Sequence, residues 1–520
     1  MKSNTLFAST LAPGLLLMLL TTCTTRSIKD LTKELIIPKP STVEATFDAF
    51  KLSTSTGIYY AAGQYELRAI GEHLADLLEP TLGVRLSVDG TTEAPQKNAV
   101  FLTIVEESEH GKEGYELDIS SKLVKISAST PAGIFYGMQT LRQLLPTEIE
   151  AGKPYIDPIM IASGMIKDKP VYPYRGAMLD VARHFFPVED VKRYIDLIAA
   201  FKFNTLHLHL SDDQGWRIEI MSWPKLAEIG GQTAVGGGAG GFYTQQEYIE
   251  IDEYAKAKFI TIIPEIDMPG HTHAALVAYP ELSCDSKKRE LYTGIEVGFS
   301  TLCTSSETTY KFIDDVIREL AAITEGPYIH IGGDESLATP LSDYIPFMER
   351  VQQIVKKYDK EVIGWDEIAN AKLVDNAVVQ YWAEAGNAGM GIEQGAKVIM
   401  SPATKTYLDM QYDSTTRLGL HWAAYIEVDD AYNWDPATIE NQIGKEHILG
   451  IEAPLWTETI DNMDDLEYMV FPRLLCHSEV AWTKPENRDW SDFSSRLGAF
   501  CSRLEAMEID YYQSTRIPWK

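Results

Sequence analysis

Two adjacent carboxylates, Asp334 and Glu335, close the stretch Tyr328-Ile-His-Ile-Gly-Gly-Asp-Glu. The β-branched run reads as a short strand. The two glycines that follow let the chain turn sharply and leave room for close approach. Neighbouring side chains at a strand end point in different directions, so the two acids need not share a task. One carboxyl donating a proton while the other stays ionised is the division of labour that cleavage of a glycosidic bond requires. A loop holding two solvated acids would read the same way, so the rest of the chain must decide.

Those acids need a frame, and the pattern from Tyr174 onward supplies one. Strand, loop and helix recur, with strands predicted at 176–181, 205–210, 259–264, 328–332, 361–365, 377–382, 397–401 and 448–455. Most are apolar on both faces, as parallel strands covered by helices are. Clear helices lie between several of them, such as the one beginning at Pro187. Eight such strands predict a (β/α)8 TIM barrel with inserted loops, whose active site lies just beyond the strand ends. Those positions hold Asp180 and Arg183, Asp212 and Asp213, Glu265, Asp267 and His271, then Asp334-Glu335. Later strands deliver Trp365-Asp-Glu, Trp382-Ala-Glu, Tyr407-Leu-Asp409 and Trp456-Thr-Glu458. Aromatic faces for sugar C–H surfaces, with acids and an Arg for hydroxyls, describe a carbohydrate pocket.

Ahead of the barrel, residues 30–166 read as a smaller α+β domain. Strands are predicted at 100–105, 114–119 and 123–128, and helices over 65–78 and 132–145. The catalytic barrel is assigned to 170–515. The glycine run 236–241 lacks a following Gly-Lys-Ser/Thr, so it is a loop rather than a phosphate cradle. The 520-residue chain is 45% hydrophobic and carries 46 Lys and Arg against 75 Asp and Glu, a net charge of −29. That balance argues against nucleic acid and anionic membrane surfaces as partners, because both need a basic footprint.

The first 23 residues look like an export address. Lys2 precedes an apolar run through Leu20, too short for a bilayer span, and Leu20-Thr-Thr-Cys23 resembles a bacterial lipobox. Cys23 is the expected lipidation site, although Thr22 departs from the usual Gly, Ala or Ser. The mature protein is therefore expected outside the cytoplasm, as a periplasmic or cell-surface lipoprotein on a bacterial membrane. An exported chain can oxidise its cysteines. Cys284 and Cys303 flank a polar loop and form a candidate pair, while Cys476 sits on what reads as a buried helix face.

Three long motifs are Leu179-Asp-Val-Ala-Arg183-His-Phe, His207-Leu-His-Leu-Ser-Asp212-Asp-Gln-Gly-Trp and Pro264-Glu-Ile-Asp-Met-Pro-Gly-His271. Together with Gly332-Gly-Asp334-Glu335, Tyr407-Leu-Asp409 and Leu455-Trp456-Thr-Glu458, they resemble the β-N-acetylhexosaminidases of glycoside hydrolase family 20. The resemblance spans the barrel and the smaller domain before it. It implies exo-acting, retaining hydrolysis of terminal β-linked GlcNAc or GalNAc with no cofactor and no metal. Glu335 would be the general acid, Asp334 would orient the 2-acetamido group, and Tyr407 would hydrogen-bond its oxygen. The substrate's own carbonyl then serves as nucleophile, through an oxazolinium intermediate. Trp365, Trp382 and Trp456 would wall the sugar, Arg183, Asp409 and Glu458 would bind hydroxyls, and Asp212 with His271 would form a polar chain behind Glu335. Cys284 and Cys303 also sit where some bacterial members carry a disulfide.

Other readings remain on the residues alone. His207-Leu-His209 and His271-Thr-His273 imitate the paired histidines of metal-dependent amidohydrolase barrels. Alternation instead places His207 and His209 on one strand face before the strand end, where buried, hydrogen-bonded histidines are expected. A non-catalytic glycan-binding lipoprotein would be marked by a missing acid, and Glu335 is present. A conventional β-glucosidase would draw its carboxylates from two strands, and Glu367, Glu384 and Glu458 offer them.

Overall fold

The computed structural model describes residues 1, 29–106, 108–155 and 158–520. Cys23 and the apolar run before it lie outside the described residues. The first sheet is built from β1 (Thr42–Leu52), β2 (Gly57–Ala61), β3 (Val88–Thr91), β4 (Ala99–Ile104), β5 (Tyr115–Ile119), β6 (Leu123–Ala128) and β7 (Ile159–Asp168). Its order is β1-β7-β5-β6-β4-β2-β3. Pairing is parallel among β3, β2, β4 and β6 and antiparallel from β6 outward to β1. Helices α1 (Leu67–Leu82) and α2 (Pro131–Gln143) pack on it. In α1 the buried residues Leu67, Ile70, Leu74, Ala75 and Leu78 recur at helical spacing, and Gly83 closes the helix in the left-handed region. Thr130 caps α2 by accepting from the Gly133 N–H, with Pro131 at its first turn.

The second sheet closes on itself. Strands β8 (Tyr174–Asp180), β9 (Thr205–His209), β10 (Thr261–Glu265), β11 (Tyr328–His330), β12 (Glu361–Trp365), β13 (Val378–Tyr381), β14 (Lys397–Met400) and β15 (Ile448–Leu455) form an eight-stranded parallel barrel. The fold is thus a (β/α)8 barrel behind a smaller α+β domain, as the strand pattern predicts. Strand β11 stops earlier than expected. Gly332 (φ 62°) and Gly333 (φ 105°) both take backbone angles that favour glycine, and they turn the chain out of the strand. A Cβ on Gly332 would stand 1.8 Å from Asp267 Oδ1, so the close approach also needs a glycine.

Buried polar contacts join the two domains below the barrel. Lys202 Nζ donates to Asp168 Oδ2 (3.2 Å) and Tyr115 Oη (3.0 Å), and the Trp482 indole N–H donates to the same carboxylate (2.9 Å). Arg175 reaches both oxygens of Glu113, at 2.7 and 3.1 Å. Breaking such a buried pair from one side is costly, so these contacts hold the smaller domain against the barrel. Among the described residues no helix is long and apolar enough to cross a membrane.

Candidate active site

Register places the first layer of the site. Asp180, His209, Glu265 and His330 lie opposite one another on β8, β9, β10 and β11, at the strands' C-terminal ends. Above them, the loops after the strands surround a cavity of 170 Å³ lined by Arg183, Asp334, Glu335, Trp382, Tyr407, Asp409, Trp456 and Glu458. These eight all figure among the residues expected from sequence. The same cavity is also lined by Ile295, Val297, Leu420 and Trp422, which no sequence pattern singles out. Trp422 comes within reach because Leu420 N–H bonds to Asp409 O and Gln411 N–H to Leu420 O, folding the loop back on itself. A tryptophan in an aperiodic loop carries no pattern that would announce this.

Asp334 and Glu335 approach the same histidine nitrogen. His271 Nε2 lies 3.7 Å from Asp334 Oδ2 and 3.6 Å from Glu335 Oε2. The opposite nitrogen of that ring, Nδ1, donates to Asp212 Oδ1 at 3.1 Å. Asp212 Oδ2 in turn receives Arg183 Nη2 and His209 Nε2, each at 2.8 Å. Burial would raise the Asp212 carboxyl, but Arg183 and His271 overcome it and hold the group well below the ordinary range. Burial would lower His271, yet Asp212 and Asp334 hold its pKa well above the ordinary value. Glu335 (φ 42°) and His271 (φ 53°) both sit at positive φ, a conformation that costs a non-glycine residue energy and that tends to occur at working sites.

Asp334 has a second partner in Asp267, a strand-end residue of the Pro264–His271 motif. Asp267 Oδ1 accepts the Gly333 N–H at 2.9 Å and so reaches the Asp334 turn directly. Burial chiefly, with Glu265 adding repulsion against the pull of His271, raises Asp267 to about 7. Asp334 is likewise raised, by burial and then by Asp267. Two buried carboxyls this close cannot both ionise cheaply, so the pair holds a proton. The folded chain keeps that proton to about pH 7, whereas the unfolded chain releases it near the ordinary 3.8. Ionisation therefore erodes folding stability progressively as pH rises between those values. Asp267→Asn has no such proton to lose. Its Tm relative to the parent is expected to climb between about pH 4 and 7 in thermal melts; a constant offset would contradict the shared proton.

Arg183 stacks on Trp456, 4.8 Å from the ring centroid. Asp409 is 2% exposed, and no side chain donates to its carboxylate. Burial and the charge of Glu458 raise it. Such an acid, aimed into a cavity, is an acceptor awaiting a hydroxyl donor. Trp382 and Tyr407 lie nearly parallel at 6.5 Å, and the Trp382 indole N–H donates to Glu367 Oε2 at 3.1 Å. Glu367 thus anchors a wall. Trp365 sits lower than expected: it is 1% exposed, lies outside the cavity lining, packs 5.7 Å from Trp456 and donates its N–H to Glu265 Oε1 at 2.8 Å. Its place is the floor beneath the pocket.

The metal-like histidine pairs divide differently. His207 Nδ1 meets Glu452 Oε1 at 2.9 Å and His207 Nε2 lies 3.1 Å from Glu265 Oε2, so that ring bridges two buried carboxylates. His271 faces the acids, while His273 Nε2 turns away to the Glu290 carbonyl at 2.8 Å. Cys284 and Cys303 are joined by a disulfide that closes the loop carrying Ile295 and Val297, and Cys476 and Cys501 are buried free thiols.

The family model described as "Glycosyl hydrolase family 20, catalytic domain" matches residues 172–485, and "Glycosyl hydrolase family 20, domain 2" matches 33–169. A β-N-acetylhexosaminidase of Cellulomonas fimi is 40% identical over 487 residues, covering 93% of this chain and 97% of that protein. Among solved structures, the GH20 β-N-acetylhexosaminidase from Streptomyces coelicolor A3(2) superposes with a TM-score of 0.91 at 47% identity, covering 95% of this chain and 100% of that one. A mutant Streptomyces plicatus β-hexosaminidase in complex with its product GlcNAc gives a TM-score of 0.91 at 47% identity, over 95% of this chain and 99% of that one.

Proposed function

The chain belongs to glycoside hydrolase family 20, and from that premise we propose that it removes terminal, non-reducing β-linked N-acetylhexosamine by a retaining mechanism in which the substrate's acetamido group is the nucleophile. The observation that carries this reading is the placement of Asp334 and Glu335 against one histidine nitrogen, beside Tyr407, on a single cavity. A conventional retaining enzyme sets two carboxylates about 5–5.5 Å apart, one on each side of the scissile bond. Here the two acids are chain neighbours, and an internal nucleophile removes the need for a second side.

The steps follow from the groups present. Glu335 gives its proton to the glycosidic oxygen as the C1–O bond breaks. The acetamido oxygen closes on C1, held by the Tyr407 hydroxyl, and forms an oxazolinium ion. Asp334 accepts the acetamido N–H and faces the positive charge. Glu335, now a carboxylate, takes a proton from water as that water attacks C1. The ring reopens with net retention, and the acid is restored. Arg183, Asp409 and Glu458 take ring hydroxyls, while Trp382 and Trp456 pack on the sugar.

The cavity's 170 Å³ falls below the ~300–1,000 Å³ of pockets for drug-sized ligands, which supports one ring and hence action at a chain end. Export and a lipid anchor at Cys23 complete the proposal, supported by the leader-like apolar run. The direct test is initial rates on aryl β-GlcNAc and aryl β-glucoside, each with and without a chelator. Turnover of the acetamido sugar alone, indifferent to chelator, is expected. Comparable rates on both sugars would defeat the substrate-assisted reading, and loss with chelator would favour the metal-dependent one.

A further inference from the structure

The polar chain behind the acid does not end at Asp212. It passes through His209 into the barrel interior and reaches Glu265. His209 Nε2 lies 2.8 Å from Asp212 Oδ2, and His209 Nδ1 meets Glu265 Oε2. Each ring nitrogen faces a carboxylate oxygen, an arrangement that favours a hydrogen on both and hence the imidazolium. Glu265 is the fixed point of this arrangement. One of its oxygens accepts from the Trp365 indole at 2.8 Å and lies 3.0 Å from His330 Nδ1. The other takes His209 and stands 3.1 Å from His207 Nε2. All of these groups are buried, and none is on the cavity lining.

We propose that Glu265 and His209 are positioning residues for the acid: they hold one positive charge against Asp212, and through Asp212 and His271 they set how readily the catalytic carboxyl releases its proton. The inference rests on the hydrolytic reading given above. Around His209 the charged groups are Glu265 from β10, Asp212 from the loop after β9, Arg183 (3.4 Å) from the loop after β8, with His207 on the same strand and Asp267 beyond β10. Around Glu335 they are His271, Asp334 and Tyr407. Burial opposes the charge on His209, but Glu265 and Asp212 outweigh it and keep the ring protonated well above the ordinary range. The Trp456 ring stands edge-on to His209 at 4.9 Å, so the imidazolium also supports a wall of the pocket.

The chain predicts displacements of opposite sign. His209→Gln deletes a positive charge, which makes proton release along the chain harder. The alkaline limb of kcat against pH is expected to move up by about half a unit or more, with kcat lower by about tenfold and KM within about twofold. Glu265→Gln deletes a negative charge and leaves His209 uncompensated, so that limb is expected to move down by about the same amount. A residue that only fills the core would lower Tm without moving either limb. Profiles that superimpose on the parent's after scaling, in whichever variant folds, would overturn the proposal and leave the hydrolytic reading intact. Failure of the parent itself to hydrolyse an N-acetylhexosaminide would overturn that reading instead.

Discussion

Glu335→Gln is expected to lower kcat by about 10³-fold on a natural disaccharide, while KM changes little. General acid catalysis contributes about 10²–10⁴ in rate, and the amide cannot give up a proton. The carboxyl lines the cavity and is held only loosely by His271 at 3.6 Å, so the exchange leaves no buried network broken and the fold is expected to stand. The loss should depend on the leaving group. An aglycone that departs as a stable anion needs no proton, so a dinitrophenyl glycoside should recover most of the rate of bond cleavage. Equal losses on disaccharide and activated substrate would remove Glu335 from the acid's role.

The second large effect is expected at the neighbouring residue, with the opposite dependence. Asp334→Asn should cost about 10²–10³ in kcat, the size expected when a group aimed at developing charge is removed. Leaving-group quality should not rescue it, because the deficit lies in forming the oxazolinium rather than in protonating the departing oxygen. Stability should move the other way. Asp334 is 8% exposed and raised by burial and by Asp267, so a neutral amide relieves a repulsion that grows as pH rises toward 7. Rates across an aryl series, with melts at two pH values, measure both halves. A variant within tenfold of the parent would mean that Asp334 does not meet the charge.

Much of this was legible because barrels place function in a fixed relation to pattern. The apolar runs ending at Asp180, His209, Glu265 and His330 are short and two-sided, and parallel pairing aligns their ends at one level. The first sheet was harder to read. Strand β1 buries only Phe50 and Leu52 and is interrupted between Ala45 and Ala49, where Phe47 takes positive φ, so the alternation that marks a half-buried strand is broken midway. Asp267 stood at a predicted strand end, but its contact with the Asp334 turn depends on Gly332 and Gly333 bringing two distant loops together. Trp365 read as a pocket wall because strand-end position does not tell whether an indole stands in the cavity or beneath it; its bond to Glu265 decides that. Trp422 was beyond any pattern, since it reaches the cavity on a loop folded back on itself by the Asp409–Leu420 and Gln411–Leu420 backbone hydrogen bonds.

The account turns on the acetamido oxygen as nucleophile, and a series of aryl glycosides bearing acetyl, fluoroacetyl, difluoroacetyl and trifluoroacetyl groups on the 2-amino nitrogen tests it most directly. Each fluorine draws electrons from the carbonyl. The predicted result is a steep, monotonic fall in kcat along the series. A flat series in the parent would contradict it and would require a nucleophile supplied by the protein.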